Sequence, residues 1–235
     1  MGLAMLGAVS QGILWGVMVL GVFITYKLLD IADLTVDGSF ALGGSVCAVL
    51  VVSGVDPVLA IFAAMLAGMI AGAVTGFLHT VFEIPAILAG ILTQIALWSV
   101  NLRIMGKSNT PLLRVDTLFS SVTDATGLPQ NVASIIVGLI FAILIIVALY
   151  WFFGTEIGSA CRATGNNEAM VRALGVDTKV TKMIALTLSN GLVGLSGGLI
   201  CESQGYADIG MGTGAIVIGL AAIVIGEVLG RLTPG

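Results

Sequence analysis

The stretch that decides the fold is VASIIVGLIFAILIIVALYWFF, residues Val132–Phe153, which contains no charged side chain. A helix that crosses a bilayer needs about 20 consecutive, mostly apolar residues, and this run is long enough. The rest of the 235-residue chain agrees with it, because 58% of all residues are hydrophobic and only 9% are charged. A soluble domain carries roughly 25% charged residues, so this chain has too few charges to cover a water-facing surface. The composition therefore predicts an integral membrane protein.

Six further apolar runs lie before and after this one. They cover Leu6–Tyr26, Gly38–Gly54, Pro57–Leu78, Pro85–Val100, Met183–Ile200 and Ala215–Val228. Each run is continuous rather than alternating in polarity, which favours helices over the strands of a membrane barrel. We therefore predict an all-α, polytopic transmembrane helical bundle of about seven spans, forming a single domain over residues 1–235. The second, fourth and seventh runs are short, as re-entrant or tilted segments are.

Glycines recur at helical spacing in the third run. Gly68, Gly72 and Gly76 fall on one helix face over two turns. Small residues at this spacing let a second helix approach closely in lipid. The pattern is typical of tight packing, and it also suits helices that slide or rock against each other.

Basic residues between the runs indicate the orientation of the chain, because cytoplasmic loops carry an excess of lysine and arginine. The segment Gly154–Lys182 holds four of the nine basic residues, and we place it in the cytoplasm. Counting spans back from it puts the N-terminus outside. The same count puts Asn101–Asn131 outside although that loop holds three basic residues, so charge alone favours this orientation by a narrow margin.

Several kinds of chemistry have no residues to support them in this sequence. No stretch matches the G-x-x-x-x-G-K-[ST] motif that binds nucleotide phosphates, and the single histidine, His79, has no partner set for catalysis or metal binding. The net charge of −4 leaves no basic stripe for nucleic acid. No carboxylate pair lies mid-membrane, as a proton relay would need. We therefore predict no enzymatic activity, no cofactor, no metal and no nucleic-acid partner for this chain.

A short helix is predicted inside the cytoplasmic segment, where residues 163–176 read ATGNNEAMVRALGV. Asn166 or Asn167 suits the N-cap, and Gly175 lies where a left-handed C-cap residue would end the helix. Four residues can share one face of it: Ala169, Met170, Ala173 and Leu174. The helix Glu168–Leu174 is too short to be stable alone in water. It needs a partner surface, which is the protein's own bundle, the membrane surface or another protein.

The same residues, ATGNNEAMVRALGV, resemble the coupling-helix motif of permease subunits in bacterial ATP-binding-cassette (ABC) importers of the branched-chain amino acid and ribose type. Two other stretches are similar to segments of these families, DLTVDGSFALGG at 33–44 and GYADIGMGTGAIVIGLAAIVIGEVLG at 205–230. The stretch His79–Gly106 looks like a branch often linked to aromatic amino acids. Family members usually continue with further spans, whereas this sequence stops at 231–235, so the resemblance implies a chain shorter than the family length.

The resemblance implies a function, a location and a set of partners. The chain would be a permease subunit in the bacterial cell membrane, forming the pathway for an amino acid or a similar small polar solute. A separate ABC ATPase would drive it, an extracytoplasmic substrate-binding protein would deliver the solute, and a second permease subunit would complete a homodimer. By position, the motif residues that couple to the ATPase are Gly165, Asn166, Asn167, Glu168, Ala169, Arg172 and Gly175. Among these, Glu168 and Arg172 are the expected polar contacts to the ATPase.

Four polar residues are candidates for the translocation pathway: Asp37, Gln94, Asn190 and Asp208. Gln94 and Asn190 are nearest to mid-span, where a polar side chain needs a partner or a water-filled cavity. These two either line a pathway or form hydrogen bonds between helices. Asp37 and Asp208 each precede a glycine-rich segment, as in the broken helices that frame transport sites. The two segments resemble each other weakly, so an internal repeat and a chance similarity both stay open.

Two other functions are compatible with these residues. An ATP-independent channel or secondary carrier for small solutes would need no ATPase. A structural membrane scaffold would use the short helix to dock another kind of protein. The ABC permease is the function that we expect, because it accounts for both the coupling motif and the missing nucleotide-binding motif.

Overall fold

A computed structural model of the protein describes residues 2–232, which form a bundle of ten α-helices with one two-stranded sheet. The elements are α1 (Gly2–Phe23), a π-helical turn (Ile24–Leu28), α2 (Thr35–Val52), α3 (Pro57–Thr80), α4 (Ala86–Met105), β1 (Asn109–Pro111), α5 (Leu118–Thr126), α6 (Gln130–Gly154), α7 (Glu156–Asn166), α8 (Glu168–Ala173), α9 (Thr178–Gln204), β2 (Tyr206–Asp208) and α10 (Ala215–Leu232). The predicted all-α bundle is confirmed. Six of the described helices are long and apolar enough to cross a membrane, and the predicted seventh run falls in α10, outside these six.

The helix α9 runs through the bundle and defines its two ends. It has 27 residues, which at 1.5 Å per residue give a length of about 40 Å. Its first residue, Thr178, donates a hydrogen bond to Glu168 of α8, and we call this the α8 end. Its last turn leads into β2, which pairs antiparallel with β1 through Thr110 and Ala207. We call this the strand end.

The core of the bundle is built around α9, which α1, α2 and α3 surround. The backbones of α3 and α9 approach so closely that a Cβ on Gly68 would overlap the carbonyl oxygen of Asn190. A Cβ on Gly72 would overlap the carbonyl oxygen of Leu186 in the same way. The close approach predicted from the glycine spacing is therefore confirmed, and α9 is the helix that approaches.

A first crossing is broken near mid-depth, between α1 and α2. After the π-helical turn, residues 29–34 lead back into the bundle without regular structure, and α2 begins at Thr35. Asp33 in this segment accepts a hydrogen bond from Asn190 at 2.6 Å. Asn190 lies twelve residues into α9, about 18 Å from its first residue. The second predicted span thus begins about half-way through the bundle, which explains its short apolar run.

A second crossing is broken where α10 begins. Residues 209–214 lead from the strand end to the first turn of α2, where the Asp37 carboxylate accepts hydrogen bonds from the backbone N–H groups of Gly214 and Ile216, both at 3.0 Å. From there α10 runs to the α8 end, where Lys27 pairs with Glu227 at 2.9 Å.

The fourth predicted span is not short. The helix α4 has 20 residues and continues past the end of the apolar run to Met105. Its extension is possible because Asn101 is buried against α2, where it donates a 3.5 Å hydrogen bond to the carbonyl oxygen of Gly38. The apolar run therefore underestimates the length of the fourth span.

Candidate functional site

The predicted coupling segment, residues 163–176, lies at the α8 end and forms parts of two short helices in succession. α7 ends at Asn166, and Asn167 caps α8 because its Oδ1 accepts a hydrogen bond from the backbone N–H of Met170 at 3.0 Å. Gly175 follows with a φ of +87°, a conformation that favours glycine. The predicted short helix, its N-cap and its left-handed end are confirmed. Asn167 rather than Asn166 is the cap, and Ala173 is the last helical residue.

Glu168 ties α8 to the start of α9. Its Oε2 accepts a hydrogen bond from the Lys182 ammonium at 2.7 Å, and its Oε1 accepts from Arg172 at 2.9 Å and from the Thr178 hydroxyl at 3.1 Å. The hydrogen bond from Lys182 is the main reason that the pKa of Glu168 lies below its usual value. Both carboxylate oxygens are engaged within the chain, so Glu168 positions α8. Its direct contact with an ATPase stays a prediction.

The face of α8 that points away from the bundle is apolar and exposed. Val171 is 2% exposed and anchors the helix, whereas Met170 is 50% and Leu174 is 74% exposed. Ala169 and Ala173 are exposed as well. The four residues predicted to share a face therefore present an apolar surface at the end of the molecule, where burial against a partner would be favourable.

α7 packs directly on the π-helical turn through Gly165. A Cβ at this position would overlap the carbonyl oxygen of Leu28 and come within 2.8 Å of the Cα atom of Leu29, so only glycine permits the contact. On another side α7 meets α9, where the hydroxyls of Thr164 and Thr181 lie 3.0 Å apart. The coupling segment thus touches both the start of the first broken crossing and the central helix.

The remaining polar residues of the motif lie at the surface of the α8 end. Arg172 has 64% of its side chain exposed although it pairs with Glu168. Asn166 is exposed and lines a cleft of about 470 Å³ together with Lys27 and Arg162. This end of the molecule therefore offers basic and amide groups beside the apolar face of α8.

The structure brings two of the four pathway candidates together. Asp37 and Gln94 line one small cavity of about 20 Å³ between α2, α4 and the loop before α10. The Asp37 carboxylate also caps α10 by accepting the two backbone hydrogen bonds described above. A cavity of this size holds a single water-sized group.

Asn190 lies in a hydrogen-bond network that holds helices together. Its Nδ2 donates to Asp33 at 2.6 Å, and its Oδ1 accepts from the Ser39 hydroxyl at 2.7 Å. The side chain is fully buried. The sequence left two roles open for Asn190, in a pathway or in hydrogen bonds between helices. In this conformation the amide forms hydrogen bonds between elements.

Asp208 lies at the strand end, in the wall of a separate cavity of about 380 Å³ that Trp15 and Gln204 also line. Its Oδ1 accepts a hydrogen bond from the backbone N–H of Gly210 at 2.8 Å, and its Oδ2 accepts one from the Asn109 amide at 3.4 Å. These bonds shape the turn through which the chain re-enters the bundle. The structure therefore places Asp208 and Asp37 in different cavities.

The geometry is that of a multi-pass bundle with broken crossings and a projecting short helix, and comparison with known proteins agrees with it. A family model described as the permease component of branched-chain amino acid transport systems matches residues 4–233. The chain belongs to this permease family.

Two relatives of this permease-family chain are named as transport proteins. The tyrosine transport system permease protein of Clostridioides difficile (strain R20291) is 39% identical over 191 residues, which cover 81% of this chain and 62% of the relative. The ribose import permease protein of Escherichia coli (strain K12) is 30% identical over 168 residues, covering 70% and 50%. The chain thus spans between half and two thirds of the length of these relatives. No solved structure matches the chain.

Sequence reasoning missed two buried carboxylates of this chain. Asp33 stands inside the stretch that resembles the family, but its bond to Asn190 joins positions 157 residues apart. Glu202 is 1% exposed and accepts a hydrogen bond from the backbone N–H of Leu118, the first residue of α5, at 2.8 Å. Its position two residues after the predicted run Met183–Ile200 was the one feature of the sequence that pointed to burial. Among residues 2–232, no group of three or more His, Cys, Asp or Glu side chains is placed to hold a metal ion.

Proposed function

We propose that this chain is the membrane-spanning permease subunit of an ABC importer in the bacterial cell membrane. The family match supports the transport function, and both named relatives are permeases of transport systems. The tyrosine permease shares the higher identity, 39% against 30% for the ribose permease. We therefore propose an amino acid as the cargo, with aromatic amino acids as the first class to examine.

The exposed apolar face of α8 is the observation that carries the proposal. A helix of six residues has little stability of its own, yet this one is fixed on its inner side by Val171 and Glu168. Its outer side presents Met170 and Leu174 at the end that the basic residues predict to be cytoplasmic. A short helix that is already ordered loses little conformational entropy when it enters a groove of a partner. The partner that we propose is a separate ABC ATPase, which hydrolyses ATP for the complex.

Two contacts connect the proposed docking helix to the transmembrane bundle. The first is the ion pair between Glu168 and Lys182, which joins α8 to the first turns of α9. The second is the contact of Gly165 with Leu28, which joins α7 to the turn before residues 29–34. These routes converge where Asp33 meets Asn190. We propose that movement of the ATPase displaces residues 29–34 and α9 together. This displacement would change access of the solute to the pathway.

The pathway itself is proposed to form between two permease subunits, with an extracytoplasmic binding protein delivering solute at the strand end. The cavity at Asp37 and Gln94 has a volume of about 20 Å³. Sites for small molecules usually have roughly 300–1,000 Å³. The small volume supports a pathway that opens only when ATP hydrolysis in the assembled complex drives a conformational change.

Affinity purification of the tagged chain from its native membrane, followed by mass spectrometry, tests the proposal. We expect an ABC ATPase and a substrate-binding protein to accompany the wild-type chain. Leu174→Glu places a charge on the exposed face of α8 and should remove the ATPase from the complex. Leu113→Glu is the matched control, because Leu113 is 77% exposed but lies near the strand end, and it should retain the ATPase.

Two outcomes would contradict the proposal. If the ATPase accompanies both variants equally, α8 is not the docking helix. If the folded wild-type chain is recovered alone and supports uptake in de-energised vesicles, the ATP-independent channel or carrier is the better function.

A further inference from the structure

A residue in the wall of the small cavity beside Asp37 carries a polar atom that forms no hydrogen bond within the described chain. Its wall consists of Asp37, Gly38, Ala41, Gln94, Trp98, Asn101, Ile209 and Thr213. Asn101 is 1% exposed, and its Nδ2 donates a long 3.5 Å hydrogen bond to the carbonyl oxygen of Gly38. Its Oδ1 is buried and has no hydrogen-bond partner among the described residues. A buried amide oxygen without a donor is uncommon, because leaving it unpaired costs free energy.

Asp37 adds a second acceptor to the same cavity. Each of its carboxylate oxygens accepts one backbone N–H, from Gly214 and from Ile216. An ionised carboxylate has about four acceptor positions, so two bonds do not exhaust it. The cavity wall therefore combines an unpaired amide oxygen with a negatively charged group. A ligand that fits this pair must donate hydrogen bonds, and a positive charge would complement Asp37.

The position of the cavity in the fold is also consistent with a transport site. It lies where the first turn of α2 meets the loop before α10, so both broken crossings contribute to its wall. Ser39, two residues after Asp37, bonds to Asn190 near the middle of α9. Solute sites in membrane transporters typically lie at such mid-depth breaks, where helix ends are exposed to the pathway.

We propose that Asn101 and Asp37 recognise the ammonium group of an amino-acid solute as it passes through the permease. This inference rests on the permease function proposed above. The volume of about 20 Å³ admits one group the size of a water molecule, so the cavity takes the ammonium group and not the whole solute. Gln94 and Trp98 border the same cavity and are available to the remainder of the molecule.

Charge-selective labelling of a cysteine in the cavity wall tests this proposal in the complete permease–ATPase complex. The probes are aminoethyl methanethiosulfonate, which is cationic, and sulfonatoethyl methanethiosulfonate, which is anionic and similar in size. In Asn101→Cys we expect the cationic probe to react about tenfold faster during ATP hydrolysis, because Asp37 concentrates cations locally. L-tyrosine should slow the labelling, and its deaminated analogue hydroxyphenylpropionate should not.

Two further positions make the labelling decisive. Thr213→Cys probes the same cavity from an exposed position, so it reports even if Asn101→Cys does not fold, and it should show the same preference. Ser99→Cys is the control on the exposed face of α4, and tyrosine should not protect it.

The outcomes separate this inference from the proposed function. If the complex hydrolyses ATP but cysteines at 101 and 213 stay unlabelled or show no charge preference, the ammonium site is wrong and the cavity holds only a structural water. If no ATPase assembles with the wild-type chain, the proposed function fails first. A charge preference with tyrosine protection supports both.

Discussion

α9 and α6 are the two longest helices of the described chain, with 27 and 25 residues, and they occupy opposite environments. In α9, 83% of the most apolar 18-residue window is buried inside the protein, against 28% in α6. Yet α6 consists largely of big aliphatic residues, whereas α9 carries glycines, hydroxyls and an amide. The more apolar helix is therefore the one at the periphery.

This difference between α9 and α6 shows which forces stabilise the bundle. Lipid is as apolar as leucine, so burying an aliphatic side chain inside the protein gains little over leaving it in the bilayer. Close backbone packing and hydrogen bonds between helices provide the stabilisation instead. The glycines of α9 and the Asn190 network supply both, which explains why α9 lies in the centre.

The largest effect is expected from filling the backbone contact of α9. A Cβ on Gly194 would lie 2.6 Å from the carbonyl oxygen of Ala64 and 3.1 Å from the Cα of Gly68. Gly194→Leu should destabilise the fold by about 3 kcal/mol or more, because backbone atoms cannot move aside as a flexible side chain can. Ala148→Leu, on the exposed face of α6, should change stability by less than about 0.5 kcal/mol. Thermal unfolding of the purified proteins in detergent measures both, and equal effects would contradict the contrast between the helices.

A smaller loss is expected from removing the amide of α9. Asn190→Leu leaves the buried Asp33 carboxylate without the donor at 2.6 Å, which should cost about 1–3 kcal/mol. The double variant Asp33→Leu/Asn190→Leu removes both polar partners and should recover part of that stability. Denaturation by a strong detergent ranks the variants. If the double variant is less stable than the single one, the network is not the source of the stabilisation.

The ion pair between Glu168 and Lys182 should have the smallest effect on the free energy of unfolding and the largest effect on uptake per ATP. Glu168→Gln keeps the shape of the side chain but weakens its bonds to Lys182 and Arg172. Because these groups are partly exposed, we expect a stability change below about 1 kcal/mol. ATP hydrolysis in the complex should continue while uptake falls. Unchanged uptake per ATP would show that the anchoring of α8 on α9 is not part of the coupling.

The same ion pair should give α8 a defined pH dependence. The pKa of Glu168 lies below its ordinary value of 4.5, because Lys182 donates to the carboxylate. A depressed pKa means that the stabilisation is complete above the ordinary value and is lost as the pH falls through the lowered one. Amide exchange protection of α8 should therefore stay constant from about pH 8 to about pH 5 and fall below about pH 4. A loss of protection between pH 7 and pH 5 would point to a different group.

Features that depend on local sequence could be predicted, and features that depend on distant contacts could not. The apolar runs follow from bilayer thickness, and α8 follows from Asn167 and Gly175, which act within a few residues. The capping of α10 by Asp37 joins Asp37 to Gly214, 177 residues away, and no local sequence pattern predicts it. Gly165 was predicted from its motif, but its contact with Leu28 required the fold.

The candidate pathway shows the same limit. Asp37 and Gln94 were predicted independently and meet in one cavity. Asn101 lies in the same wall, just past the end of the predicted fourth apolar run. Asn190 was predicted by its mid-span position, which cannot tell a pathway residue from one that bonds neighbouring helices. The structure shows it bonded to Asp33 and Ser39. Only the pairing of elements distant in sequence separates these roles.

Photocrosslinking from position 174 in the native membrane tests the proposed ATPase docking most directly. A benzoylphenylalanine in place of Leu174 sits on the exposed face of α8 and reports whatever covers it, while the same residue at Leu113 is the control. We predict that position 174 crosslinks to an ABC ATPase and that position 113 does not. A transport-competent complex in which position 174 crosslinks only to lipid, or to no protein, would contradict the assignment of α8 as the coupling helix.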